Sequence, residues 1–178
     1  MDDPVLILTG PPGSGKTTTA CALADMHERS VHLESDNFFH YIRSGFIEPW
    51  KPASQAQNST VMRIVADAAT AYARAGYLTI IDGIVIPRWF LQPLRDRLDA
   101  NGFQVAYAAL RAPLAVCQQR CADRDSRRLS DPAVVGQIWR QFADLGPYEN
   151  HVIETGATGA RDAARAIAER MRGDLLIS

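Results

Sequence analysis

Short apolar runs alternate with helical patterns along this 178-residue chain. The apolar runs are nearly continuous in valine, isoleucine, leucine and alanine, which is typical of strands buried on both faces of a parallel sheet. They predict five strands, at residues 5–9, 31–34, 78–81, 105–110 and 152–154. Because strands and helices alternate, the pattern predicts an α/β fold with a doubly wound sheet. Ligands of such sheets bind at the carboxyl ends of the strands.

Apolar residues at helical spacing occupy the segments between the predicted strands. The clearest such pattern begins near Val61 and ends before Gly76, since glycine commonly follows the last residue of a helix. Proline suits the first position of a helix because its missing N–H has no partner there. Other helices are predicted to follow the first strand at residues 18–24, to begin at Pro87 and Pro113, and to span 133–145 and about 158–171.

Length and charge narrow the class of protein. The length favours one domain over residues 1–178. An insertion at about 37–60, between the second and third strands, is a candidate for binding an acceptor, and its residues 48–54 resemble an irregular loop. A formal net charge of -1 gives no bulk electrostatic reason to bind nucleic acid or an anionic membrane, so neither is an expected partner. The acidic start is not typical of a signal peptide, and an odd number of cysteines favours a reducing, cytoplasmic location.

The segment between the first strand and the first helix carries the strongest chemical signal. It fits the phosphate-binding pattern G-x-x-x-x-G-K-[ST] in its expected strand–loop–helix context. Backbone N–H groups of such a loop face a phosphate, with the lysine at the β/γ-phosphates and the hydroxyl helping to hold Mg²⁺. The residues predicted to bind the nucleotide are Gly10, Pro11, Pro12, Gly13, Ser14, Gly15, Lys16, Thr17 and Thr18.

Two acidic residues follow predicted strands. Asp36 would lie beside the phosphate loop and could orient a substrate hydroxyl or accept its proton, with Glu34 a weaker competitor. Alternatively, Asp36 or Asn37 caps the next helix. Asp82 ends the third strand in the Walker-B arrangement, which supports Mg²⁺, although many strands also end in an Asp-Gly turn. Thr17 and Asp82 are therefore the predicted metal-binding pair.

Four arginines occur within nine residues: Arg120, Arg124, Arg127 and Arg128. The first three share one helix face if the helix extends that far, and positioned arginines stabilise the charge of phosphoryl transfer. The other interpretation is a solvated basic face balanced by neighbouring aspartates.

Further candidates are less specific. Arg43 and Arg88 follow the second and third strands and are candidate contacts for an acceptor. Aromatic residues near the same cleft could stack on a ring substrate or pack in the core; they are Phe38, Phe39, Phe46, Trp50 and Trp89. The histidines, among them His32, show no partner pattern, which favours a surface or core role.

The chain resembles the P-loop small-molecule kinases of the nucleoside and nucleotide kinase type. Residues 80–88 are similar to the I-D-G-F-P-R segment of adenylate and cytidylate kinases, with two extra residues before Pro-Arg. Residues 110–120 are similar to the strand and helix that lead into the lid of these enzymes, and residues 152–156 to the turn that lines their adenine pocket. The part around Asp36 is more like gluconate kinases, uridine kinases and chloramphenicol phosphotransferase, where an aspartate meets the acceptor hydroxyl.

This resemblance implies a three-layer α/β/α sandwich whose five parallel strands have the order 2-3-1-4-5. It implies ATP and Mg²⁺ as cofactors, Arg120 beside the base, and an arginine-rich lid at about 120–132. The catalytic residues are then Lys16, Asp36, Arg124, Arg127 and Arg128.

The predicted function is transfer of the γ-phosphate of ATP to a small-molecule acceptor, most naturally a hydroxyl, by a monomer or homodimer. Two alternatives stay open: a nucleoside monophosphate kinase, and an NTP-binding switch or partner-coupled ATPase.

Overall fold

A central sheet organises the computed structural model, which describes residues 3–123 and 129–177. Its strand order is β2-β3-β1-β4-β5, and neighbours along this path are parallel, so the predicted fold class and order are confirmed. The strands are β1 Val5–Thr9, β2 Ser30–Glu34, β3 Leu78–Asp82, β4 Val105–Arg111, β5 Val152–Glu154 and β6 Leu176–Ile177. The sequence did not predict β6, which pairs antiparallel with β4, because two residues are too short to show a periodicity.

The helices of the described residues cover both faces of the sheet. They are α1 Lys16–Ala24, α2 Ser35–His40, α3 Gln55–Arg74, α4 Gln92–Asp99, α5 Leu114–Ala122, α6 Pro132–Arg140 and α7 Ala160–Arg170. None of the helices in this part of the chain is long and apolar enough to cross a membrane.

Residues of strand β1 pack in two separate hydrophobic cores, one on each face of the sheet. Alternate side chains of a strand point to opposite faces of its sheet. Ile7 accordingly packs in the core beneath α3, α4 and α6, whereas Leu6 and Leu8 pack in the core beneath α1 and α7. Both faces of β1 are fully buried, which explains its continuous apolar run.

Three predicted helices differ clearly in their boundaries, and the first is α3, which begins at Gln55 and not near Val61. The helix predicted at 133–145 ends at Arg140, and its N-cap is Asp131, whose carboxylate accepts a hydrogen bond from the N–H of Ala133 at 2.8 Å. The helix predicted to begin at Pro87 starts as a wider π-helical turn, Pro87–Leu91, and continues as α4. The start of α6 has a local signal, because aspartate is a favoured N-cap residue and proline suits the first helical position.

Candidate functional site

The loop between β1 and α1 is shaped by its glycines. Gly10, Gly13 and Gly15 have φ angles of 148°, 84° and 98°, a region that residues with a Cβ rarely adopt. A Cβ on Gly13 would overlap the backbone of Cys117, with 2.7 Å to its Cα atom. A Cβ on Gly15 would meet nothing within 4 Å, so this side of the loop is an open cradle. The loop is therefore pressed against α5 on one side and open to a ligand on the other.

The close approach at Gly13 makes a prediction about stability. Gly102 has the same φ of 84° but no atom within 4 Å of an added Cβ, so it is a matched control. We expect Gly102→Ala to cost about 1–2 kcal/mol for the left-handed backbone alone. Gly13→Ala adds a clash with backbone atoms, which costs a further 1–3 kcal/mol, roughly. Urea unfolding measures both, and equal losses for the two variants would contradict this account of the loop.

Lys16 folds back over the loop. Its ammonium group donates hydrogen bonds to the carbonyl oxygens of Gly10 at 2.9 Å and Pro11 at 3.2 Å. The residue also begins α1, whose N-terminus carries partial positive charge. A fixed cation and a helix N-terminus at the open cradle favour an anion such as a phosphate.

Thr17 and Asp82 meet although they are far apart in the chain. The Thr17 hydroxyl donates to Oδ2 of Asp82 at 2.8 Å, and Nε2 of His32 lies 3.1 Å from the same oxygen. Asp82 is only 4% exposed. Burial acts to raise its pKa, but the hydrogen bonds from His32 and Thr17 and the charge of Lys16 outweigh it, so the pKa of Asp82 lies below its ordinary value.

His32 is a neighbour of the site that the sequence did not reveal. A histidine within a strand has no spacing signal, and only the pairing of β2 with β3 brings its ring to Asp82. Its other ring nitrogen, Nδ1, lies 3.7 Å from Sγ of Cys21 on α1. The residue therefore bridges β3 and α1 and fixes the orientation of the Asp82 carboxylate.

The lowered pKa of Asp82 predicts how stability depends on pH. A carboxyl group with a lower pKa in the folded state stabilises the fold above its unfolded pKa, and this contribution disappears as the pH falls towards the folded value. Below about pH 4, we therefore expect the unfolding free energy of the Asp82→Asn variant to depend less on pH than that of the wild-type protein. The two slopes should differ by up to about 1.4 kcal/mol per pH unit, the value for one proton. Urea titrations at several pH values measure this slope. Identical slopes for the wild-type protein and the Asp82→Asn variant would show that Asp82 does not contribute to the pH dependence of stability.

The oxygen atoms of Thr17 and Asp82 suit a magnesium ion. Mg²⁺ prefers oxygen ligands and is usually held by one or two protein groups together with phosphates and water. No group of three or more His, Cys, Asp or Glu side chains in residues 3–123 and 129–177 could hold a metal. Thr17 and Asp82 supply two oxygen donors, the number of protein groups that commonly hold Mg²⁺.

Asp36 lies in the first turn of α2 and is exposed. Glu34 is the N-cap residue of this helix, so neither Asp36 nor Asn37 is its cap, and that alternative is wrong. The end of β3 lies close to the start of α2. A Cβ added to Gly83, which follows β3, would overlap Oγ of Ser35. This contact brings the start of α2 next to Asp82.

One large cavity, of about 1190 Å³, connects these groups. The phosphate loop lines it through Lys16 and Thr17, and Asp82 and Asp36 also line it. Arg88 is among its lining residues and Arg43 is not, so the structure separates these two candidates. Of the aromatic candidates, Phe39, Phe46, Trp50, Trp89 and also Phe90 line the cavity, whereas Phe38 lines a second groove.

Arg120 contacts the phosphate loop. Its guanidinium donates to the carbonyl oxygen of Gly13 at 3.2 Å, which ties α5 to the loop. The other lid candidates, Arg124, Arg127 and Arg128, lie outside the described residues.

The turn after β5 also reaches the loop. The Thr155 hydroxyl donates to the carbonyl oxygen of Ser14 at 2.8 Å, and its N–H donates to that of Arg111 at 2.8 Å. Arg111 itself is held by Glu149 and Glu154. The phosphate loop is therefore supported from both β4 and β5.

A phosphate loop at the end of β1, beside a strand order of 2-3-1-4-5, defines a P-loop fold of the kinase-like class. Residues 5–145 match the sequence model of the family described as "AAA domain", and the chain belongs to that family. No curated protein matches the chain.

Solved structures with the same fold include several kinases. A tunicamycin resistance protein of Deinococcus radiodurans is 23% identical, covers 99% of both chains and has a TM-score of 0.69. A sugar kinase of Janibacter sp. is 25% identical over 93% of both chains, with a TM-score of 0.65. A shikimate kinase of Acinetobacter baumannii is 24% identical, covers 93% of this chain and 91% of its own, and has a TM-score of 0.60.

Proposed function

We propose that this protein is an ATP-dependent phosphotransferase that moves the γ-phosphate of ATP to a hydroxyl of a small molecule. One observation carries the proposal: a single cavity is lined at one part by Lys16 and Thr17 and at another by Asp36. A donor phosphate in the loop and an acceptor hydroxyl at Asp36 would share this space. The resemblance to kinases in fold supports the same reaction.

In this proposal the protein positions the reactants and stabilises charge, which is most of what phosphoryl transfer requires. Lys16 and the N–H groups of the loop neutralise the phosphate oxygens. Asp36 orients the acceptor hydroxyl and takes its proton, as the acceptor oxygen bonds to the γ-phosphorus and the bond to ADP breaks. Thr17 and Asp82 would hold Mg²⁺, which would neutralise negative charge on the nucleotide phosphates.

The remaining arginines complete the proposal. Arg120, already bonded to Gly13, is suited to border the nucleotide base. Arg124, Arg127 and Arg128 would close over the phosphates and exclude water, so that the phosphate passes to the acceptor and is not lost to hydrolysis.

The test of the function is ATP consumption with and without candidate acceptors. A kinase hydrolyses ATP slowly alone and consumes it faster when its acceptor is added. The screen covers nucleosides, sugar acids, shikimate-like acids and hydroxylated antibiotics. Fast ATP hydrolysis whose rate no acceptor changes would favour a different class of protein, an NTP-binding switch or partner-coupled ATPase.

A nucleoside monophosphate kinase is the second candidate, favoured by Arg88, whose exposed side chain lines the cavity. Arg43, the other residue that a phosphate acceptor would use, is not among the lining residues. Turnover with CMP, UMP and AMP, compared with cytidine, uridine and adenosine, separates the two candidates. A preference for the monophosphates that Arg88→Gln removes would establish the second.

A further inference from the structure

We propose that the acceptor is a hydroxyl compound that carries a flat aromatic ring, and that the ring stacks on Trp50 and Phe46. This inference rests on the proposed function, because it names the class of acceptor that the same cavity takes. It begins from two large apolar side chains that are exposed and yet line a concave site: Phe46 is 44% exposed and Trp50 40%. Side chains this exposed are not core packing, and aromatic faces at a cavity favour stacking on rings.

The loop that carries these rings is fixed to α3. The side-chain amide of Gln57 accepts from the N–H of Ile47 at 2.9 Å and donates to its carbonyl oxygen at 2.6 Å. Nδ2 of Asn58, a buried residue, donates to the carbonyl oxygen of Pro49 at 2.8 Å. A mobile loop would have to be ordered when a ligand binds, whereas a loop held by these bonds loses little entropy.

Ser54 strengthens the same attachment next to Trp50. Its buried hydroxyl lies 2.9 Å from the carbonyl oxygen of Pro49 and 2.7 Å from that of Lys51. The backbone carbonyl groups on both sides of Trp50, those of Pro49 and Lys51, are therefore held by hydrogen bonds. Phe46 and Trp50 lie in a wall that is shaped before the acceptor arrives.

The cavity is lined by apolar as well as polar side chains. Phe39, Met62, Ile86 and Phe90 line it and are buried. Trp89 also lines it and is held by a hydrogen bond from its Nε1 to Oε1 of Gln55 at 3.1 Å. A hydroxyl group that lay against these apolar side chains would lack a partner there, which costs free energy. A ring places an apolar face there.

The volume of the cavity is large enough for two ligands bound at the same time. Pockets for a single small molecule commonly have about 300–1,000 Å³. This cavity, of about 1190 Å³, exceeds that range and includes the phosphate loop. A nucleotide phosphate tail and a ring-bearing acceptor fit together in a space of this size.

Two matched ligand pairs test the proposal in the 178-residue protein saturated with ADP, so that no phosphate is transferred. Each pair keeps its sugar and replaces the ring-bearing substituent at the anomeric carbon by a methoxy group: phenyl against methyl β-D-glucopyranoside, and uridine against methyl β-D-ribofuranoside. Calorimetry is expected to give the aryl member at least tenfold tighter binding in one pair or both, about 1.4 kcal/mol. The pair that shows the preference identifies an aryl glycoside or a nucleoside as the source of the ring.

Three variants attribute the preference to the wall. Trp50→Leu should reduce it to less than threefold, and Trp50→Phe, which keeps an aromatic face, should retain most of it. Tyr41→Leu is the matched control, because Tyr41 is 75% exposed and lies in the second groove outside this cavity. ADP affinity should be the same in all of them, which shows that each variant is folded.

Equal affinities, within twofold, in both pairs would overturn the proposal. So would tighter binding of gluconate or shikimate than of either aryl ligand, or a ring preference that Trp50→Leu leaves unchanged. These outcomes differ from a failure of the proposed function, because binding with ADP requires no phosphoryl transfer. A protein that binds the aryl ligands through Trp50 but never consumes ATP would retain the ligand class and lose the kinase assignment.

Discussion

Replacing Lys16 with alanine is expected to reduce acceptor-dependent ATP turnover by about 10³-fold, the largest loss that we expect from any single side chain of the phosphate loop. The charge that develops on the transferring phosphoryl group has to be met by fixed positive groups. The Lys16 ammonium group is held at the open cradle by bonds to the carbonyl oxygens of Gly10 and Pro11. No flexible surface lysine can replace a cation held in this way. Steady-state kinetics with the acceptor found in the screen measures the effect.

Lys51 is the matched control for Lys16. It lines the same cavity, but its ammonium group pairs with Glu48 at 2.8 Å on the insertion. Lys51→Ala should leave turnover within a few-fold of wild type, since an exposed ion pair contributes little. Thermal unfolding of both variants separates a catalytic loss from a damaged loop, because the bonds of Lys16 also support the loop backbone. Wild-type turnover by a folded Lys16→Ala protein would contradict the assignment of this site.

The second large effect concerns Asp36. Asp36→Asn should lower kcat by about 10²–10⁴-fold, because an amide keeps the shape of the carboxylate but cannot accept the proton of the acceptor hydroxyl. The exposed position of Asp36 in the first turn of α2 means that the variant should remain as stable as wild type, within about 0.5 kcal/mol. The KM for ATP should change little, since the phosphate loop is intact. Single-turnover measurements at saturating ATP give the rate of the chemical step.

Two neighbouring variants make the test of Asp36 specific. Asn37 follows it in the same turn and also lines the cavity, so Asn37→Ala measures the effect of an ordinary change at this place. Glu34 lines the cavity as well and is the carboxylate that competes with Asp36 for this role. A full loss of turnover in Glu34→Gln, with an active Asp36→Asn protein, would assign the proton to Glu34 and reject the role of Asp36.

The elements with a strong local pattern were predicted well. Strand β1 and the glycine loop after it follow from consecutive residues, because burial on both faces and positive φ angles restrict which residues each position accepts. The end of α6 was predicted five residues too late, at 145 and not at Arg140. Strand β6 was missed because its two residues show no pattern of their own. They form a strand only through their pairing with β4.

The site shows the same division between local and distant information. The sequence indicated Thr17 and Asp82 as a pair, since a P-loop and a Walker-B aspartate are each recognisable from their neighbours. It gave no sign that His32 shares the Asp82 carboxylate, because nothing local to a strand histidine records what the next strand presents. It also could not separate Arg88, which lines the cavity, from Arg43, which does not.

The sequence by itself determined the five parallel strands and the glycine loop after β1, because these depend on backbone geometry and on neighbouring residues. Only the tertiary structure decided which distant groups meet without a motif to announce them: His32 with Asp82, 50 residues apart, and Thr155 with Ser14, 141 residues apart. It alone also brought the aromatic residues of the insertion to the cavity that contains the phosphate loop. The physical reason is that such contacts depend on how whole elements pack, and packing of distant elements leaves no periodic pattern along the chain.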